Sequence, residues 1–393
     1  MANVAFILNK FPDGGIERVT INLATPLVEE CGHRLFIFVH ELQEHNLPEK
    51  LPVTYIHLPY ESWNVKNKEV LERAVVENGI DIVFSPMVAE KHIYNLKEKG
   101  LCKIAYVFHG HPFYEVKEMK WYVQNKPCTS IGKRLKKYLL TIPKFKLGYY
   151  DRKVARRYKR VYKNIDAFGT LFDKYSQTIA KAIGVKGIDN SKFYTLRNPI
   201  NNPLDITTDS PREKRVLYVG RLSRRDKRVD RLLMVWDLIH KAYPDWQLTI
   251  VGNGDDKENL VQLANRLQLP RVEFQGFVPN PEELYLKSEI LCLTSEFEGC
   301  PMVLLEAQSY GCATMAFNCS SGVEEILSPN WESGIRVANG DIEAYAETLS
   351  RLMSDDELRS KIQCNGPANA KRFSIERSVE LYDALINKLS NKK

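Results

Sequence analysis

The stretch EILCLTSEFEGCPMVLLEAQSYGCATMAFN, residues 289–318, carries the pattern that decides the fold. EILCLTS (289–295) is a short apolar run of the kind a buried strand shows, and ATMAFN (313–318) is another. From about Met302 the intervening chain reads as a helix, and Pro301 suits a first helical turn. Strands separated by a helix imply a parallel βαβ unit.

The same alternation runs outward from this unit. RVLYVG (215–220) is a strand ending in glycine, a helix is expected from about Val229 to Tyr243, and QLTIVGNG (247–254) is a second strand-to-glycine turn. A helix over 255–267 and the strand RVEFQG (271–276) follow. The first half repeats the scheme with VAFILN (4–9), RLFIFVH (34–40), VTYIHL (53–58), DIVFSP (81–86) and KIAYVFHG (103–110). Helices are expected near 67–78 and 89–99. The segment after the first strand has Ile16, Val19, Leu23 and Leu27 at helical spacing and Gly32 as a stop, with Pro26 as a point of kink or break.

Two such series make two doubly wound α/β domains, which suits 393 residues at about 100–200 per domain. The polar, proline-containing stretch RNPINNPLDITTDSPREK (197–214) marks the boundary. This gives a first domain of 1–200 and a second of 201–374, with a helical 375–393 returning to the first. Hydrophobic residues at 44% and charged residues at 27% fit a globular chain. No apolar run approaches the roughly 20 residues of a membrane helix. The opening MANVAFILNKFPDGG reads as a strand and not as a signal peptide. Eight cysteines without a CxxC pair point to free thiols and a cytoplasmic setting.

The net charge of +7 is unevenly spread: residues 133–163 hold thirteen Lys or Arg against one Asp. Leu147, Tyr150, Val154, Tyr158 and Val161 share one side of that stretch at helical spacing. The pattern is a basic amphipathic helix suited to an anionic membrane surface, or a helix packed on the first domain with a solvated basic face. No recognition module accompanies the charge, so nucleic acid is not expected.

Three features bear on chemistry. In SEFEGCPMVLLEAQSYG (295–311), Glu298 lies in the loop after a strand and Glu306 lies in the helix that follows. The N–H groups from Gly299 through Cys300, Pro301 and Val303 to Leu304 (the proline excepted) sit where helix donors are unpaired. Such an end draws a diphosphate, with carboxylates beside it for hydroxyls, although acidic residues there also serve simply to complement the dipole. In YVGRLSRRDKRVDRLL (218–233), Arg221 and Lys227 follow a strand, at the sheet edge where ligands bind, or form a solvated basic turn. Gly14 and Gly15 follow the first strand and permit close backbone approach, but they do not form a dinucleotide fingerprint. The carboxylates of Asp255 and Asp256 read as helix caps and not as a metal site.

In order and spacing these features, with VGNGDD (251–256) and FQGFV (274–278), resemble the retaining glycosyltransferases of family 4, of the type that assembles polysaccharides or lipid-linked glycans. Glu298 and Glu306 stand as that family's Glu–seven residues–Glu motif. The resemblance implies the GT-B fold, two Rossmann-like domains facing a cleft. It also implies transfer of a sugar from a nucleotide diphosphate donor to a glycan or lipid-linked acceptor, with no metal and no separate cofactor. By the same match Arg221 and Lys227 would hold the diphosphate, Glu306 the ribose, Glu298 the sugar, and Gly15 would border the diphosphate from the first domain. Phe277 and Val278 fall where the family touches the nucleobase, and His109 falls where it has a histidine near the sugar. His111 is a lesser candidate, and His33 belongs to a helix-to-strand turn. Cys300 departs from the family's bulky aromatic residue, which would reshape the sugar pocket. A sugar-nucleotide epimerase and a non-catalytic nucleotide-sugar binding subunit are the alternatives. The expected location is cytoplasmic, on the inner face of a membrane.

Overall fold

The computed structural model describes the whole chain except residues 13, 49, 60–65, 87–90, 126–129, 131–133, 136, 188–191, 202–210 and 392–393. Half of the proline-containing boundary stretch, 202–210, therefore lies outside the described residues. The chain forms two compact units, Met1–Pro199 with Ile375–Lys393, and Ile200–Ser374.

The first unit contains β1 (Asn3–Phe11), β2 (Arg34–Leu42), β3 (Val53–His57), β4 (Ile82–Ser85), β5 (Lys103–Phe108), β6 (Ala167–Thr170) and β7 (Phe193–Thr195). They form one sheet in the order β3-β2-β1-β4-β5-β6-β7, and every neighbouring pair is parallel. The second unit contains β8 (Glu213–Val219), β9 (Gln247–Val251), β10 (Val272–Gly276), β11 (Ser288–Leu293), β12 (Ala313–Phe317) and β13 (Ile335–Val337). Its parallel order is β10-β9-β8-β11-β12-β13. Both sheets are thus Rossmann-like. In each, the chain starts at the centre, winds to one edge, and then returns to lay its fourth strand beside its first. The connections after those two strands leave towards opposite faces, which opens a crevice at their carboxyl ends.

Burial on both faces explains why the strands read as continuous apolar runs. In the first unit one face of the sheet is covered by the helices Gly15–Glu29 and Ile375–Ser390, through Leu23, Leu27, Tyr382 and Ile386. The other face is covered by Leu71 and Val75, by Tyr158 and Val161, and by Ile179. The returning helix is also pinned by polar bonds: the Ala2 N–H donates to His33 Nδ1, and His33 Nε2 then donates to Asp383 at 2.7 Å. His33 does lie at a helix-to-strand turn, and this bond pair is its work. In the second unit Trp236, Trp246 and Tyr345 fill the core.

Local differences from the sequence expectation have local causes. The first helix runs through Pro26 without breaking, because its buried face of Val19, Leu23 and Leu27 is held against the sheet. β6, β7 and β13 have four, three and three residues and show no run long enough to read as strands. Asp256 stands at the N-cap of the helix Lys257–Arg266, but its carboxylate takes the Asn259 side-chain amide and no backbone N–H.

The basic stretch is not one amphipathic helix. A π-helical turn (Lys137–Thr141) and a short helix (Ile142–Lys146) precede Gly148, whose φ of 63° breaks the path. The helix Tyr149–Asn164 follows, and its apolar face, Tyr158 and Val161, is buried against the sheet and unavailable to a membrane. Among the described residues no helix is long and apolar enough to cross a membrane.

The tie between the returning helix and the first sheet is open to test. Tyr382 is 1% exposed and its ring centroid lies 5.5 Å from that of Phe84. Tyr382→Ala should destabilise the first unit by about 3–5 kcal/mol, read from denaturant unfolding curves.

Candidate functional site: the switch point of the second sheet

The second unit places its chemistry where β8 and β11 lie side by side. Three loops leave the carboxyl edge there: 220–228 after β8, 252–256 after β9 and 294–301 after β11. The first two are laced by backbone bonds. Gly220 N–H donates to Val251 O, Leu222 N–H to Asn253 O at 2.9 Å, and Asp256 N–H to Leu222 O. This lacing needs glycine. A Cβ on Gly252 would stand 1.9 Å from the Gly220 carbonyl oxygen, and one on Gly254 would stand 2.2 Å from that of Leu222. Both residues also have positive φ, at 136° and 158°.

The first and third loops are joined by charge. Lys227 Nζ lies 2.7 Å from Glu298 Oε1, and the same oxygen accepts from Ser295 Oγ at 2.6 Å. Glu298 is buried. The backbone follows suit, with Glu296 N–H donating to Asp226 O at 2.7 Å. Glu296 pairs in turn with Arg231 and lies near Arg228, which also forks onto Asp230. Desolvation opposes the charge on Lys227, but the Glu298 carboxylate outweighs it and holds the ammonium above its ordinary pKa. Asp226 accepts from Arg221, whose side chain remains 59% exposed. Burial would raise the Asp226 carboxyl, yet Ser223, Arg221 and Lys227 together hold it below the ordinary value.

The helix Met302–Ser309 starts directly behind these groups, and Pro301 at its N-cap supplies no side-chain acceptor. Cys300 lies at this helix start with its thiol 3.7 Å from the Met302 sulfur. Gly299 adjoins it, and Val303 and Leu304 form the first turn. Glu306 is one turn further on, and Tyr285 donates its hydroxyl to Glu306 Oε2 at 2.9 Å. Burial and the Glu306 charge raise the Tyr285 pKa, so the phenol remains a donor. The arrangement offers an anion two cations and a helix N-terminus, with carboxylates placed for neighbouring hydroxyls.

The expected site residues fall on both units. Arg221, Lys227, Glu298, Glu306 and the segment Gly299–Leu304 converge at this switch point. Phe277 and Val278 follow β10, the edge strand two places away from β8, and Phe277 is 70% exposed. Gly14, Gly15 and His109 belong to the first unit. Gly14 is the N-cap of the first helix after β1, and His109 follows β5, with Nδ1 2.9 Å from Asn198 Oδ1. His109 and the helix residues Ile16, Val19 and Thr20 line one small apolar cavity. Asp226, Ser295, Tyr285 and Asn198, which position these groups, were not singled out from the sequence. Only Asp226, adjacent to Lys227, carried a local signal.

The fold and the site define a protein of two Rossmann-like units with an anion-ready switch point in the second. Residues 205–369 match the family described as glycosyl transferases group 1. The chain is 26% identical to an uncharacterized glycosyltransferase of Haemophilus influenzae, over 97% of this chain and 98% of that one. It is 27% identical to a Campylobacter jejuni enzyme over 56% of this chain and 63% of that one. That enzyme is named GalNAc-alpha-(1->4)-GalNAc-alpha-(1->3)-diNAcBac-PP-undecaprenol alpha-1,4-N-acetyl-D-galactosaminyltransferase. The solved structure of Anabaena HepE in complex with UDP superposes with a TM-score of 0.76 at 16% identity, covering 99% of this chain and 100% of that one. The second unit matches the group 1 glycosyl transferases over most of its length, and the fold is that of the GT-B glycosyltransferases.

The histidines of the first unit give this region a pH signature. Burial lowers the His109 pKa to about 4 against a smaller opposing effect of Asn198, and burial with Lys117 lowers that of His111 to about 4. Both rings are neutral when folded and charge on unfolding below the ordinary 6.5. Their contribution to stability is full above pH 6.5 and is lost as pH falls towards 4, at up to about 1.4 kcal/mol per pH unit for each ring. Unfolding curves across that range should show this loss, and His109→Gln should remove about half of the part due to these two rings.

Proposed function

We propose that this chain transfers a hexosyl or N-acetylhexosaminyl group from a UDP-sugar to a glycan or lipid-linked glycan acceptor, with retention at the anomeric carbon. The observation that carries the proposal is the Lys227–Glu298 pair, set beside Arg221 and a helix N-terminus at the switch point. Support for a uridine donor comes from the UDP bound to HepE. Support for a lipid-linked acceptor comes from the name of the Campylobacter relative.

In the reaction the bond between the anomeric carbon and the donor's β-phosphate oxygen breaks, and negative charge grows on the departing diphosphate. Arg221 and Lys227 neutralise that charge, and the amides at the start of the helix Met302–Ser309 assist. Glu306 accepts from the ribose hydroxyls, and its orientation is fixed by Tyr285. Glu298 has one oxygen committed to Lys227 and Ser295, and takes a sugar hydroxyl on its outer edge. Phe277 and Val278 meet the base. Gly14 and Gly15, of the first unit, are assigned to the diphosphate, and His109 to the transferred sugar. The acceptor oxygen attacks from the face the diphosphate leaves and passes its proton to a donor phosphate oxygen, and no side chain serves as a covalent nucleophile. Because fixed cations supply the neutralising charge, the reaction needs no metal. The acceptor is met on the cytoplasmic face of a membrane, where the local excess of Lys and Arg in 133–163 attracts anionic headgroups.

A panel of UDP-glucose, UDP-galactose, UDP-N-acetylglucosamine, UDP-N-acetylgalactosamine and GDP-mannose, assayed for nucleotide release without acceptor, identifies the donor. Lys227→Ala should lower turnover on that donor at least tenfold, about 1.4 kcal/mol in the barrier. An unchanged rate would remove Lys227 from the mechanism. Excess EDTA should leave turnover unaltered, and proton NMR of the product should show the donor's anomeric configuration.

A further inference from the structure

Thirteen large apolar side chains stand exposed among the described residues, and six of them lie within fifteen residues: Leu135, Tyr138, Leu139, Leu140, Leu147 and Tyr149. Isolated exposed apolar residues are ordinary on any surface, but a cluster of this density is not. Leu147 is 70% exposed, Leu139 64% and Leu135 60%. The helix that follows sinks its own apolar face into the sheet, so the two parts of the basic stretch have opposite fates.

The local build keeps these side chains together. The turn Lys137–Thr141 runs directly into the helix Ile142–Lys146, and Gly148 then redirects the chain into Tyr149–Asn164. Arg152 closes the corner by donating to the Leu147 carbonyl oxygen at 2.7 Å. The rings of Phe145 and Tyr150 pack at 4.4 Å, and Lys144 lies over the Tyr149 ring at 5.3 Å. Arg134, Lys144, Lys146, Arg152 and Lys153 are exposed around the cluster, against one acidic residue, Asp151. Exposed leucines, tyrosines and basic residues within one short stretch are the three kinds of side chain that suit acyl chain, interface and anionic headgroup.

We propose that Leu135, Tyr138, Leu139, Leu140 and Leu147 form an apolar wedge that enters the headgroup and upper acyl region of an anionic bilayer. The basic helix Tyr149–Asn164 then anchors the wedge to the first unit and does not itself insert. A second copy of the chain is the competing occupant, but a basic margin repels its own copy and attracts an anionic surface. The inference rests on the reading that the acceptor is met at a membrane, and it adds which residues make the contact.

The test is sedimentation of the full chain with vesicles of phosphatidylglycerol and phosphatidylethanolamine, and with vesicles of phosphatidylcholine alone. The wild-type chain should bind the anionic vesicles, and the double variant Leu139→Ser with Leu140→Ser should bind them at least tenfold more weakly. These side chains are exposed, so the circular dichroism spectrum and nucleotide release from a soluble donor should match wild type. The double variant Arg156→Ser with Lys159→Ser, on the helix, should lose less than threefold. Equal binding by wild type and the leucine variant overturns the wedge while leaving membrane contact intact. Absence of wild-type binding overturns both the wedge and the membrane part of the functional reading, and nucleotide release still tests the transferase separately. A wild-type dimer in sedimentation velocity that the leucine variant dissolves also overturns it, in favour of self-association.

Discussion

The second unit is organised by one ion pair between loops that are far apart in sequence. Lys227 and Glu298 are 71 residues apart, and they meet because β8 and β11 are neighbours in a sheet whose winding reverses at that point. A largely buried carboxylate is costly unless it is paired and hydrogen-bonded, and Glu298 has both a cation and the Ser295 hydroxyl. The pair therefore fixes the loop after β11 over the loop after β8, and with it the approach to the helix at Met302. Asp226 does the same on a smaller scale for Arg221, the more exposed cation. Both cations at the switch point are thus kept in place by carboxylates of the protein's own.

The fold was legible in the sequence because both its sheets are parallel and buried. Runs such as RVLYVG, EILCLTS and ATMAFN are apolar on both sides, and the helices between them have clear spacing. Strand order was not legible, since periodicity says nothing about which runs become neighbours. Short strands were also lost: β7 and β13 have three residues each, too few for any pattern to emerge.

The candidate site was legible in its residue types and not in its pairings. Glu298, Glu306, Arg221 and Lys227 stood out through spacing and their place after strands. That Lys227 would bind Glu298, or Tyr285 would hold Glu306, depends on tertiary adjacency. Asn198, beside His109, sits 89 residues away in a polar stretch that reads only as a linker. The basic stretch shows a different limit. Helical spacing identified Tyr158 and Val161 as one apolar face, but spacing cannot say whether a face meets protein or lipid. The left-handed turn at Gly148 and burial against the sheet decide that.

The helix Ile375–Ser390 has a consequence for how the molecule comes into being. It completes the hydrophobic layer on one face of the first sheet, although 14 of that layer's 19 buried residues precede the second unit in the chain. A nascent chain emerging from the ribosome therefore carries an unfinished first unit throughout synthesis of the second. That face is completed only when 375–390 arrives, so order of synthesis is not order of folding.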